Sequence, residues 1–166
     1  PVIDHVNSLG TEFGIWFEPE MVNPDSDLYR AHPDWVLGSE NNEQLSFRNQ
    51  LVLDLTRTEV VEYLYKAIDD ILVEYPTIKY IKWDMNRDIN HAGNFSGKPA
   101  VHQQTLALYR LIDRIKAAHP GLEIESCSSG GARVDYGVLA HTDRVWTSDS
   151  NDALDRLEIQ RGCSFF

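Results

Sequence analysis

The sequence predicts an α/β fold of parallel strands, each followed by a helix, and three observations carry that prediction. Short apolar runs of strand length alternate with segments of helical period, the pattern of βα units. Polar groups stand at the ends of those runs: Glu18 and Glu20, Asp54, Asp84, Cys127 to Ser129, and Asp149. Neither GxGxxG nor GxxxxGK[ST] occurs, so a doubly wound nucleotide-binding sheet lacks its glycine-rich turn. A (β/α)8 barrel places its catalytic groups at the C-terminal ends of several strands, as the second observation requires. Such a barrel typically needs about 250 residues, and only about five strands are countable in these 166 residues. The expectation is an incomplete barrel segment of about five βα units, beginning after the first strands and stopping before the last.

Each element has a local reason. Val2, Val6 and Leu9 at helical spacing, with Gly10 behind them, predict the tail of a helix. Phe13 to Phe17 and Leu51 to Leu55 read as the first two strands. Thr56 and Glu59 form a capping-box pattern that opens a helix through Val60, Leu64, Ala67, Ile68, Ile71 and Leu72, closed by Pro76. Ile78 to Trp83 is the third strand, and an Asn/Gly-rich loop from Arg87 to Pro99 follows it. Leu108, Leu111, Ile112 and Ile115 give one apolar face to a helix over 101–119, which Pro120-Gly121 ends. Leu122 to Cys127 and Val145 to Thr147 are the fourth and fifth strands, and a further helix starts after Asn151.

Composition narrows the partners. With 26 Asp and Glu against 15 Lys and Arg, the net charge of −11 opposes nucleic acid and anionic membrane surfaces. A neutral sugar or polyol fits it. Two cysteines without CxxC or Cys/His spacing suggest neither a disulfide framework nor a zinc site, so a reducing cytoplasm is the expected compartment. No run of about 18 apolar residues is present, and no membrane partner is expected.

The chemistry-bearing residues are two aspartates that close apolar runs beside tryptophan: Asp84 in Lys82-Trp83-Asp84-Met85-Asn86, and Asp149 in Trp146-Thr147-Ser148-Asp149. Carboxylates on rigid strand ends, next to aromatic faces on which a pyranose can lie, suit acid/base or nucleophilic chemistry on a sugar. Lys82, two residues before Asp84, points to the same side of the sheet and favours the ionised aspartate.

Four ordered motifs then carry a resemblance. Trp16 to Met21, Lys82 to Asn86, Cys127 to Arg133 and Trp146 to Ala153 closely resemble the retaining α-galactosidases of glycoside hydrolase family 36, the melibiase type. The resemblance implies a (β/α)8 TIM-barrel catalytic domain. It places residues 1–166 as a single segment of that domain, with an N-terminal β-sandwich, the first barrel strands and a C-terminal β domain outside it. It implies hydrolysis of terminal α-D-galactosyl residues from melibiose- or raffinose-type oligosaccharides, with no cofactor and no metal, in an enzyme that assembles as a homo-oligomer. By the same resemblance Asp84 is the nucleophile and Asp149 the acid/base, about 5–5.5 Å apart as retention requires. Trp16 and Trp146 line the pocket with Trp83; Arg48, Lys82 and Asn86 hydrogen-bond hydroxyls; Cys127 and Gly130 form a wall beside the galactose. The family's pair of acids that grips the axial 4-hydroxyl falls upstream of Pro1.

Competing readings of the same residues are plain. Asp152 rivals Asp149 for the acid role, although a helix cap is the more ordinary use of an Asp there. Glu18 and Glu20 read as structural hydrogen-bond partners, and Gly130-Gly131 as a turn. Ser128-Ser129 lacks a GxSxG elbow, and the face with Glu62, Lys66, Asp69 and Asp70 reads as solvated surface. Two other functions remain: a magnesium-dependent barrel lyase or isomerase, and an inactive or sugar-binding fragment. An open parallel sheet also exposes two edges, so the isolated segment is expected to be unstable or to associate.

Overall fold

The computed structural model describes residues 2–39 and 42–165. In chain order the elements are α1 (Val2–Ser8), β1 (Phe13–Phe17), β2 (Met21–Val22), α2 (Asp27–Ala31), β3 (Leu51–Val52), α3 (Thr58–Glu74), β4 (Ile78–Asp84), α4 (Val101–Ala118), β5 (Glu123–Cys127), α5 (Tyr136–Leu139), β6 (Arg144–Val145) and α6 (Ala153–Cys163). They form two compact units. The first comprises residues 1–18, 75–86 and 119–166, and the second residues 19–74 and 87–118.

The first unit is built on a parallel sheet of order β1-β4-β5-β6. Side chains alternate across a strand, so register fixes what shares a face. One face is apolar: Ile81, Trp83 and Ile124 are all fully buried. The other is polar, in three rows. Gly14, Tyr80 and Glu123 are in register, then Trp16, Lys82, Glu125 and Arg144, then Asp84 and Cys127 nearest the C-terminal strand ends. Gly14 makes the first row possible, because a Cβ there would lie 2.4 Å from the Tyr80 ring.

The second unit holds the long helices. α3 buries Val60, Leu64, Ile68 and Leu72, and α4 buries Leu108, Leu111, Ile112 and Ile115, the faces the periodicity predicts. Arg114 of α4 reaches Glu62 of α3, with Nη2 3.0 Å from Oε2, and its guanidinium lies 3.6 Å from the Tyr65 ring centre. The charged face is exposed as read, and Glu62 on it also links the two helices. Lys66 and Asp70 pair one turn apart at 2.7 Å on the remainder of it.

One expected strand belongs elsewhere. Leu51 to Leu55 does not join the parallel sheet, which has four strands among the described residues. Leu51 and Val52 pair antiparallel with Met21 and Val22. Beyond them the backbone is satisfied piecemeal: Leu53 N–H donates to Glu20 O, Asp54 N–H to Trp35 O, and Leu55 N–H to the Gln104 side chain. A short, wholly buried apolar run lacks the alternation that would identify its partner. The capping box also resolves differently. Thr56 donates both its N–H and its hydroxyl to Asp54 Oδ1, Glu59 pairs with Arg57, and α3 begins at Thr58.

Candidate active site

β4 ends at Asp84, which is 4% exposed although it carries a carboxylate. A buried charge must be met by donors, and four converge on it. Trp16 Nε1 donates to Oδ2 at 3.0 Å, and the Met85 N–H donates to Oδ1 at 3.0 Å. The Asn86 amide and the Cys127 thiol also donate. Burial opposes ionisation of Asp84, yet the hydrogen bonds from Trp16, Asn86 and Cys127, together with the charge of Lys82, hold the carboxyl below its ordinary range. Burial pushes the Cys127 thiol up to about 11; a Gly130 backbone hydrogen bond works against that rise and the neighbouring Asp84 carboxylate adds to it.

Asn86 has structural partners of its own. Its Nδ2 donates to Glu18 Oε1 at 2.6 Å, and the amide helps to lower the Asp84 carboxyl. Its Oδ1 accepts from Ser129 N–H at 2.6 Å. The side chain therefore ties the ends of β1 and β4 to the loop after β5. Glu18 is a structural partner here, as anticipated.

Asp149 lies on the exposed loop after β6. Trp146 Nε1 donates to its Oδ1 at 2.7 Å. The Lys82 ammonium stands 4.8 Å from the centre of the Trp146 ring, and the Arg156 guanidinium stands 5.6 Å from it. Lys82 also acts electrostatically on Asp84, so it connects the surroundings of the two aspartates. Asp152 is spent elsewhere: it is the N-cap of α6, accepting from Leu154 and Asp155 N–H at 2.9 and 3.0 Å.

Trp16, Lys82, Asn86, Cys127, Gly130 and Trp146 all belong to the unit that carries both aspartates. Trp83 lies in the same unit but in its core, and Arg48 lies in the second unit. Trp83 is fully buried on the sheet face opposite Lys82 and Asp84, because adjacent residues of a strand point to opposite sides. It is a core residue and no pocket wall. Arg48 belongs to the second unit, in the exposed turn bridged by Phe47 and Gln50, with a φ of 54°.

The polar face continues beneath the site. Tyr80 hydrogen-bonds Glu125, and burial, with the hydrogen bond and charge of Glu125, raises its phenol well above the ordinary value against the opposing charge of Arg144. Arg144 pairs with Glu123 and lies 5.3 Å from the Tyr80 ring centre. Sequence reasoning missed this layer; its signal was the polar residue at every second position of Tyr80-Ile81-Lys82-Trp83-Asp84 and Glu123-Ile124-Glu125.

Among the described residues, no group of three or more His, Cys, Asp or Glu could hold a metal ion. Both cysteines are free thiols. No helix of the described residues is long and apolar enough to cross a membrane.

Comparison with known proteins gives this arrangement a context. The family model Melibiase matches residues 1–166. An α-galactosidase of Escherichia coli is 52% identical over 166 residues, covering 100% of this chain and 23% of that protein. α-Galactosidase AgaA of Geobacillus stearothermophilus is 46% identical over 164 residues, 96% of this chain and 22% of AgaA. The crystal structure of GH36 AgaA superposes with a TM-score of 0.92 at 44% identity, covering 98% of this chain and 23% of that one. An AgaA variant in complex with raffinose superposes equally well, with a TM-score of 0.92. The chain spans less than a quarter of the length of these relatives, and over all of its own 166 residues it belongs to the Melibiase family of glycoside hydrolase family 36.

Proposed function

We propose that this chain carries the two catalytic carboxylates of an α-galactosidase, which removes terminal α-D-galactosyl residues from melibiose- and raffinose-type oligosaccharides with retention. The observation that carries the reading is the contrast between the aspartates. Asp84 is buried and held ionised by surrounding donors, whereas Asp149 is exposed on a loop with one indole N–H on its carboxylate. A nucleophile must be ionised and fixed; an acid/base must reach both the departing oxygen and water. Family membership and the raffinose complex of an AgaA variant support the substrate class.

In the first step Asp84 attacks the anomeric carbon. The glycosidic C–O bond breaks, and the proton of Asp149 passes to the leaving oxygen. In the second, Asp149 takes a proton from water, the water oxygen bonds to the anomeric carbon, and the ester to Asp84 breaks. Trp16 and Lys82 lie on the polar face beside Asp84 and would bear on the sugar. The Trp146 indole, with the Lys82 ammonium 4.8 Å from its ring centre, holds the Asp149 carboxylate.

The test is Asp84→Ala and Asp149→Ala in the natural-length protein, assayed on melibiose and p-nitrophenyl α-galactoside with and without EDTA. Removing the nucleophile should lower kcat by more than about 1,000-fold on both substrates. Removing the acid/base should cost about 100- to 10,000-fold on melibiose, with azide raising turnover of p-nitrophenyl α-galactoside, whose leaving group is activated, as α-galactosyl azide. EDTA should change nothing. Wild-type rates in Asp84→Ala would refute the assignment, and a chelator-sensitive, Mg²⁺-restored activity would favour a metal-dependent lyase or isomerase.

A further inference from the structure

The acid/base assignment leaves open what fixes an exposed loop carboxylate well enough to deliver a proton. Indole donation from Trp146 orients the carboxyl group, but it does not place the backbone that bears it. The loop after β5 meets that backbone directly. Gly130 has a φ of 84°, and a Cβ built on it would lie 3.0 Å from Ser148 Cα and 3.3 Å from Asp149 N. A Cβ on Gly131 would lie 2.6 Å from the Thr147 carbonyl oxygen. Both contacts are with main chain, which cannot swing aside as a flexible side chain would. The glycine turn is itself pinned. Ser128 Oγ donates to Met85 O at 2.6 Å, Ser129 N–H donates to Asn86 Oδ1, and Ser129 holds the left-handed φ of 46°. From the other side, Arg156 of α6 donates to Ser148 O at 3.0 Å.

We propose, resting on the assignment of Asp149 as acid/base, that Gly131 is a positioning residue for proton transfer: its missing side chain lets the Thr147–Asp149 backbone seat against the β5 loop. The seat places Asp149 relative to Asp84, because Met85 and Asn86, which follow Asp84 directly, both bind the glycine loop. Arg156 is the opposing clamp. A methyl group on Gly131 displaces the Thr147 carbonyl and carries Asp149 with it, while Asp84, Lys82 and Trp16 remain on the sheet. The defect should therefore look like loss of general acid catalysis, with sugar binding kept.

The experiment compares Gly131→Ala, Arg156→Ala and Asp149→Ala in the natural-length protein on two substrates. One is melibiose, whose leaving group needs a proton. The other is 2,4-dinitrophenyl α-galactoside, whose leaving group does not. A shift of about 1 Å in a reacting group costs about 100-fold. Gly131→Ala should thus lose about 100-fold in the glycosylation rate on melibiose and less than about threefold on the dinitrophenyl substrate, with the Ki for free galactose unchanged. Arg156→Ala should show the same selectivity at about 10-fold. Equal losses on both substrates, or a weakened galactose Ki with no selectivity, would overturn the inference. If Gly131→Ala fails to fold, the Arg156→Ala selectivity decides. If Asp149→Ala lacks the selectivity, the acid/base reading fails; if it shows it and the two positioning variants do not, only the seat fails.

Discussion

Replacing Asn86 by aspartate changes one nitrogen to an oxygen, keeps the side-chain volume, and leaves the acceptor for Ser129 N–H in place. What it removes is the amide donor, which bonds Glu18 and helps to lower the Asp84 carboxyl. A hydrogen bond to a charged group contributes about 1.5–3 kcal/mol. Asp84 is buried and carries its full share, whereas the half-exposed Glu18 is discounted to about 1 kcal/mol by solvent. At neutral pH Asn86→Asp should therefore cost about 2.5–4 kcal/mol. The deficit has a definite pH dependence. Three clustered carboxyl groups hold a proton more readily when folded than when unfolded, so the variant's stability is fully present below the unfolded carboxylate range and is lost as pH rises. In the wild type, Asp84 is lowered on folding; its contribution is present above the unfolded value and lost as pH falls through the folded one. Both terms shrink the gap in acid. Urea unfolding of wild type and variant at pH 4.5 and pH 7.5 should show the smaller difference at pH 4.5. An equal deficit at both values, or none, would show that the amide donor does not serve the two carboxylates.

Three further outcomes are expected. Asp152→Ala should destabilise by about 1 kcal/mol through loss of the α6 cap, yet keep kcat on melibiose within a fewfold, which steady-state assays and a thermal melt would check. Under native conditions at pH 8, iodoacetamide should modify the half-exposed Cys163 and spare Cys127, which is 1% exposed with its thiol raised to about 11; intact mass should show one adduct folded and two in urea. Gln104→Ala should cost about 2–4 kcal/mol, because the buried amide accepts from Leu55 N–H at 2.7 Å and donates to Leu53 O at 2.8 Å, and its loss strands both backbone groups. Chemical denaturation measures it.

Elements with a clear period were readable from sequence, and those defined by distant partners were not. α3 and α4 announced their buried faces at three- and four-residue spacing, and β1, β4 and β5 their short runs. Leu51 to Leu55 announced only that it is buried; its partners, Met21, Glu20, Trp35 and Gln104, are fixed by the fold. In the site, Asp84 and Lys82 followed from period two, and the same arithmetic turns Trp83 away, although its place in the motif suggested substrate. Asp152 showed its cap in the run that follows it. The structural partners of Asn86 were not legible, because Glu18 and Ser129 lie 68 and 43 residues away in sequence. The role of Gly131 is invisible without the backbone it touches.

The rows on the polar face make β4 intolerant of a change in length. β4 is paired on both sides, to β1 and to β5, so a residue lost or gained within Ile78 to Lys82 has no free edge into which to slide. Keeping the pairing would rotate every later side chain to the opposite face. Trp83 would then enter the polar face, and the carboxylate of Asp84 would face the apolar side that holds Ile124. Natural variation should therefore fall as substitutions inside β4 and as insertions beyond Asn86, where the alternation no longer has a sheet to obey.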